Sequence, residues 1–167
     1  AIDPAICGGC GMCGAVCPSG AAQTAFPPID SSLTSLANLL HYYNEAGGTA
    51  AQLLLHDGQW GGDMIDMLAR YGKGLPAALI PYEMHSVGRV GHDLLAGAVT
   101  LGFERVFVLM DPRKAPEYAS LHQQIELAEA LLTGTGVAST NRFVLIDESD
   151  PDEVEQIFWQ KAKTSKY

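Results

Sequence analysis

From residue 51 onward the chain alternates short apolar runs with amphipathic stretches, and no other feature limits its fold as strongly. The runs are AQLLLHD at 51–57, LPAALIPY at 75–82, ERVFVLMD at 104–111 and NRFVLID at 141–147. Each is bounded by polar or glycine-containing sequence and rich in Leu, Val, Ile or Phe, the pattern of a strand covered on both faces. Helical stretches follow each run. GGDMIDMLARYGKG at 61–74 places Met64, Ile65, Leu68 and Ala69 at helical spacing. GRVGHDLLAGAVTLGF at 88–103 and APEYASLHQQIELAEALLTGTG at 115–136 read the same way, and DPDEVEQIFWQKAK at 150–163 is amphipathic, with Pro151 suited to a first turn. One more helix is expected ahead of the first strand, over LTSLANLLHYYNEAGG at 33–48. Ser31 or Ser32 would cap it, Leu33, Leu36, Leu40 and Tyr43 would share a face, and Gly47 and Gly48 would stop it. Strands that each return through a helix make a parallel sheet with both faces covered, reached by right-handed crossovers.

The expected fold is therefore α/β, a four-stranded parallel doubly wound sheet in flavodoxin-like order over residues 33–167. In such sheets ligands bind beyond the carboxyl ends of the strands. The loops there are HDGQWGGD (56–63), PYEMHSVGRVG (81–91) and MDPRKAPEY (110–118), and they collect His56, Asp57, Trp60, Glu83, His85, Arg89, Asp111 and Arg113. Three roles are open to these loops. Trp60, Tyr82, Arg89 and Arg113 suit a docking surface, since Trp, Tyr and Arg are favoured at interface hot spots. His56, Asp57, His85 and Asp111 have the donor atoms of a metal or small-ligand site. The third role is internal: Arg89 would pair with a carboxylate such as Asp111 and tie two loops, while Asp57 caps the helix after it. His41, His92 and His122 fall in expected helices, and Met64 and Met67 read as core filling.

All four cysteines lie in CGGCGMCGAVCPSGAA at 7–22, spaced C-x2-C-x2-C-x3-C-P. Disulfide staples belong to small secreted chains with little core, and zinc sites use two separated C-x2-C pairs or nearby histidines; neither pattern is here. The run resembles the bacterial-type ferredoxin motif, which implies that Cys7, Cys10, Cys13 and Cys17 bind a [4Fe-4S] cluster. Gly8, Gly9, Gly11 and Gly14 let the backbone curl close to the sulfurs, and Pro18 fixes the turn that ends the run. In two-cluster ferredoxins the fourth cysteine of each run ligates the other cluster. By that rule Cys7, Cys10 and Cys13 hold one cluster and Cys17 points to a second. The expectation is then a small half-ferredoxin segment over 1–26, within a longer polypeptide whose matching run lies upstream. AIDPAIC at 1–7 is similar to the strand that joins the two ferredoxin halves. The alternative is an intact protein whose four cysteines fold around one cluster. Phe26, Pro27 and Pro28 suggest a stiff linker over 27–32.

A second resemblance lies in the strand-end loops. HSVGRVGHDLLAGAVTLGFERVFVLMDPRKAPEY at 85–118 and NRFVLIDESDPDEVEQIF at 141–158 resemble the methyl-viologen-reducing hydrogenase delta-subunit family. That family is a small flavodoxin-like iron-sulfur domain that passes electrons to heterodisulfide reductase. Its members typically carry C-S-G-R-V at the second loop and G-C-H-P-x-x-C-H-Y at the third. Gly88, Arg89, Val90, Pro112 and Tyr118 match those landmarks, whereas His85, Asp111 and Ala115 stand where thiols would be, and HDGQW replaces the first strand's cysteine pair. The family's own iron-sulfur site does not carry over to these loops. The resemblance, which spans residues 50 to 160, implies a delta-subunit-like domain behind a ferredoxin module. Its implied partners are redox proteins such as a hydrogenase, a dehydrogenase or a heterodisulfide-reductase-like complex.

Charge and composition narrow the classes further. A net charge of −9 with 10 Lys and Arg among 167 residues argues against nucleic acid, which needs clustered cations. No stretch nears the roughly 18 apolar residues of a membrane span, and no basic-then-apolar leader pattern opens the chain, so the expected compartment is cytoplasmic. There is no G-x-S-x-G, no G-x-x-x-x-G-K-[ST] and no H-E-x-x-H. The strand-end loops also lack the run of hydroxyls and amides expected around a flavin phosphate, so FMN is not expected. The chain reads as an electron carrier or redox-complex subunit more than a catalyst, with a ligand-binding or assembly module built on a structural cluster as the alternative.

Overall fold

The computed structural model describes residue 3, residues 5–138 and residues 141–162. Ala1, Ile2 and Pro4 of the AIDPAIC segment lie outside the described residues, as do 163–167 at the end of the expected last helix and domain. The elements in chain order are α1 (Met12–Ala15), α2 (Ile29–Glu45), β1 (Gln52–Asp57), α3 (Trp60–Tyr71), β2 (Leu79–Met84), α4 (His92–Leu101), β3 (Arg105–Leu109), α5 (Ala119–Gly134), β4 (Phe143–Ile146) and α6 (Pro151–Ala162). One sheet holds the four strands in the order β2-β1-β3-β4, all parallel. This is the expected α/β, flavodoxin-like arrangement.

The register explains the continuous apolar runs. Leu54 of β1 stands opposite Pro81 of β2 and Phe107 of β3, and Phe107 stands opposite Val144 of β4. Every residue of β1 is buried. Alternate side chains point to opposite faces. Leu53, Leu55, Val106 and Val108 pack with Leu36 of α2, Leu95 and Ala98 of α4 and Leu121 of α5. On the other face Leu54, Phe107, Val144 and Ile146 pack with Met64 and Leu68 of α3 and Val154 and Phe158 of α6. Phe107 meets Phe158 edge to face, with ring centroids 6.0 Å apart. Chain reversal after β2 puts α3 on one face and α4 on the other, as right-handed crossovers require.

Several boundaries differ from the sequence expectation. Helix α2 starts at Ile29, with Pro28 at its N-cap and no serine cap. The Pro28 carbonyl accepts from the amides of Ser31 and Ser32, so both serines lie inside the helix, and Ser32 is buried. The second strand starts at Leu79 and runs to Met84; as an edge strand it accommodates Pro81, which a central strand would not. GRVG does not join α4 but forms a separate 3-10 turn, Val87–Arg89, whose first amides are served by Ser86, with Gly88 N–H donating to its Oγ at 3.2 Å. The fourth expected helix is likewise divided. Pro112–Tyr118 is a 3-10 segment broken at Lys114 (φ −108°, ψ 16°), and the α-helix begins at Ala119. No helix among the described residues is long and apolar enough to cross a membrane.

Candidate metal centre

The cysteine segment is a glycine-rich loop around the single turn of α1. Cys7 and Cys13 are exposed, Cys10 and Cys17 half-buried, and all four thiols are free. Backbone amides already point at two sulfurs: Gly9 N–H donates to Cys7 Sγ and Ala22 N–H to Cys17 Sγ, both at 3.4 Å. The Ser19 hydroxyl lies 3.6 Å from Cys17 Sγ. The Ala22 amide first, and Ser19 after it, push the Cys17 thiol down to about 7. Donors of this kind stabilise a thiolate and tune a bound cluster.

Four unpaired thiols in this spacing fit an iron-sulfur cluster by donor chemistry. Among the described residues no three His, Cys, Asp or Glu side chains converge closely enough to hold a metal ion. Holding a cluster therefore requires the loop to draw its sulfurs together. The space around Gly8 and Gly9 is open, with nothing within 4 Å of where a Cβ would stand.

The loop is seated on the carboxyl ends of the strands. Arg89, in the turn after β2, donates from Nη2 to the Pro27 carbonyl at 2.7 Å. Gly11 (φ +80°) lies so close that an added Cβ would stand 2.9 Å from Arg89 Cβ and 3.2 Å from Thr24 Oγ1. Gly91, at the N-terminus of α4, packs on Ala15 with 3.4 Å between its would-be Cβ and Ala15 Cα. Beneath the loop lies a cleft of about 660 Å³ that Cys10 shares with Asp57, Glu83, His85 and Lys114. A second cavity of about 360 Å³ lies between Cys17, Thr24, Ser32, Arg89 and His92.

The strand-end residues fall into distinct positions. Asp57 is buried at the end of β1, and its Oδ1 accepts from Gln59 N–H at 3.1 Å and Gly61 N–H at 2.9 Å, which caps α3 from upstream. His56 is buried with Nδ1 2.9 Å from the Asp57 carbonyl. Trp60 and Tyr82 are half-buried against the two cores, which leaves only part of each ring for a partner. Asp111 is 1% exposed, and Arg113 grips it with Nε on Oδ1 and Nη2 on Oδ2, both at 2.8 Å. That fork holds the Asp111 carboxyl below its ordinary value and raises Arg113 in turn. Arg89 does tie loops together, but its partner is a backbone carbonyl and the carboxylate of Asp111 belongs to Arg113. His56, Asp57, His85 and Asp111 are not brought together as a metal site among the described residues.

Other residues at this edge had no signal in the sequence. Gln124 of α5 is buried and its Oε1 accepts from His92 N–H at 3.2 Å and from His92 Nδ1 at 2.7 Å, so it caps α4 from a neighbouring helix. Pro27, Thr24 and Lys114 gain their roles only from the seating of the loop. No model of a known protein family matches the chain, and no curated protein matches it either.

Proposed function

We propose that the chain is an iron-sulfur electron-transfer protein in which Cys7, Cys10, Cys13 and Cys17 hold a [4Fe-4S] cluster and the α/β domain docks redox partners. The observation that carries this reading is the C-x2-C-x2-C-x3-C-P run, with its four free thiols and with backbone amides directed at Cys7 and Cys17. When bound, such a cluster supplies reversible one-electron chemistry. This chain's part is to provide thiolate ligands, amide donors to the sulfurs and partial burial, which together set the potential. The strand-end loops and the exposed face of Arg113 would meet a partner such as a hydrogenase, a dehydrogenase or a heterodisulfide-reductase-like complex in the cytoplasm. The acidic balance of the chain suits a partner with a basic face.

Anaerobic reconstitution followed by iron and acid-labile sulfide analysis and EPR tests this reading. Four irons and four sulfides per chain, lost in Cys10→Ser while the α/β domain still unfolds cooperatively, is the expected result. A three-iron signal would assign Cys17 to another cluster, and no iron uptake would end the reading. A structural cluster is a second reading, favoured by the fastening of the loop through Arg89 and Pro27. Reversible reduction separates the two, since a carrier must cycle and a structural cluster need not.

A further inference from the structure

The stretch from Cys7 to Pro28 contains no lysine, arginine or histidine. Within the segment the thiolates meet backbone amides such as those of Gly9 and Ala22 but no cationic side chain. A charged side chain acting on the centre therefore belongs to the domain on which the loop is seated, and it acts strongly only where water is partly excluded.

The cleft under the loop identifies its source. Cys10 and Lys114 both line it, and Asp57 and Glu83 line it from the ends of β1 and β2. It lies beyond the carboxyl ends of β1 and β2 and is completed by the segment after β3, at the edge where doubly wound sheets receive ligands. The nearby arginines are committed: Arg113 spans both oxygens of Asp111, and Arg89 donates to the Pro27 carbonyl. Among the described residues that line the cleft, Lys114 is the one lysine or arginine, and His85 shares the lining. It is half-buried and stands at the break in the 3-10 segment. Asp111, next to the cleft, also feels the charge of Lys114.

Resting on the iron-sulfur reading above, we propose that Lys114 is a positioning residue of the redox centre that tunes its reduction potential from the shared cleft, with Glu83 opposing it. Each electron taken up adds one negative charge to the site. A fixed cation stabilises that added charge and favours reduction, while a fixed carboxylate opposes it.

The test is a redox titration with dithionite as one-electron donor, at low ionic strength, on chains reconstituted with iron and sulfide. Lys114→Gln should shift the midpoint to lower potential and Lys114→Arg should leave it near that of the wild type. Glu83→Gln should shift it the other way, and added salt should shrink both shifts. Lys73→Gln, on the loop after α3 at the opposite end of the sheet, serves as the distant control and should leave the potential unmoved. Far-UV circular dichroism and thermal unfolding verify the fold of each variant, and Glu83→Gln carries the test by its sign if Lys114→Gln fails to fold. A loaded cluster whose potential ignores both substitutions, or moves the same way in both, overturns the role of Lys114 and leaves the electron-transfer reading standing. Failure of the wild type to take up iron and sulfide overturns both.

Discussion

Arg89 reaches 62 residues back along the chain to Pro27, donating from Nη2 to the proline carbonyl at 2.7 Å. This bond joins the end of the cysteine segment to the turn after β2, so the motif and the sheet share one edge of the molecule. A hydrogen bond from a charged donor contributes about 1.5 kcal/mol or somewhat more. Arg89→Ala should therefore speed amide exchange across residues 8 to 24 by about tenfold while β1 and β3 keep their protection. Uniform acceleration through the strands would show that Arg89 supports the whole domain instead.

Gly11 and Gly8 should respond oppositely to the same added methyl group. At Gly11 the φ of +80° and the 2.9 Å approach to Arg89 Cβ make Gly11→Ala costly by about 1–2 kcal/mol from conformation alone. At Gly8 nothing stands within 4 Å, and Gly8→Ala should change little. Limited proteolysis of the segment, compared between the two variants, reads the difference. Equal cleavage rates would remove the close seating of the loop from the account.

The Asp111–Arg113 fork predicts a pH dependence with a definite sign. The folded carboxyl titrates below its ordinary 3.8, so its contribution is complete at neutral pH and is lost as the pH falls through the folded value. Because Arg113 is mostly exposed, water screens the pair and its contribution is small. Asp111→Asn should be modestly less stable than wild type in urea unfolding at pH 7. The gap should narrow once the pH drops below 3.8. A gap independent of pH would mean that shape alone, through the turn at Arg113 N–H, explains the residue.

Phe107 is fully buried at the centre of the sheet and meets Phe158 of α6. Phe107→Ala should destabilise by about 3–5 kcal/mol. Tyr71→Ala, at a side chain 86% exposed, should stay within about 0.5 kcal/mol. Denaturant midpoints at constant slope measure both.

What could be read from the sequence was what local pattern determines. The runs of β1, β3 and β4 and the Met64–Leu68 face of α3 follow from apolar spacing, and the parallel order follows from strands that each need a crossover. Element ends were less legible. Leu75 to Ala78 looked like strand because apolar composition does not distinguish a strand from the buried approach to it. The expected cap at Ser31 or Ser32 gave way because the helix already starts at Ile29, so that both serines, their amides bonded to the Pro28 carbonyl, lie within its first turn. Of the candidate site, the four cysteines and the cap at Asp57 were readable from spacing. Arg89 was readable as a tie between loops, but its partner was not, since a backbone carbonyl leaves no mark in a sequence. Lys114 was invisible for a similar reason: that it lines one cleft with Cys10 depends on how a loop more than a hundred residues upstream is seated.

Pro81 has a consequence that reaches beyond the single chain. It sits on β2, an outer strand of the sheet, where a missing amide interrupts the row of donors another strand would need in order to add on. The opposite outer strand, β4, is only four residues long. Both margins are thus poor templates for sheet-to-sheet self-association.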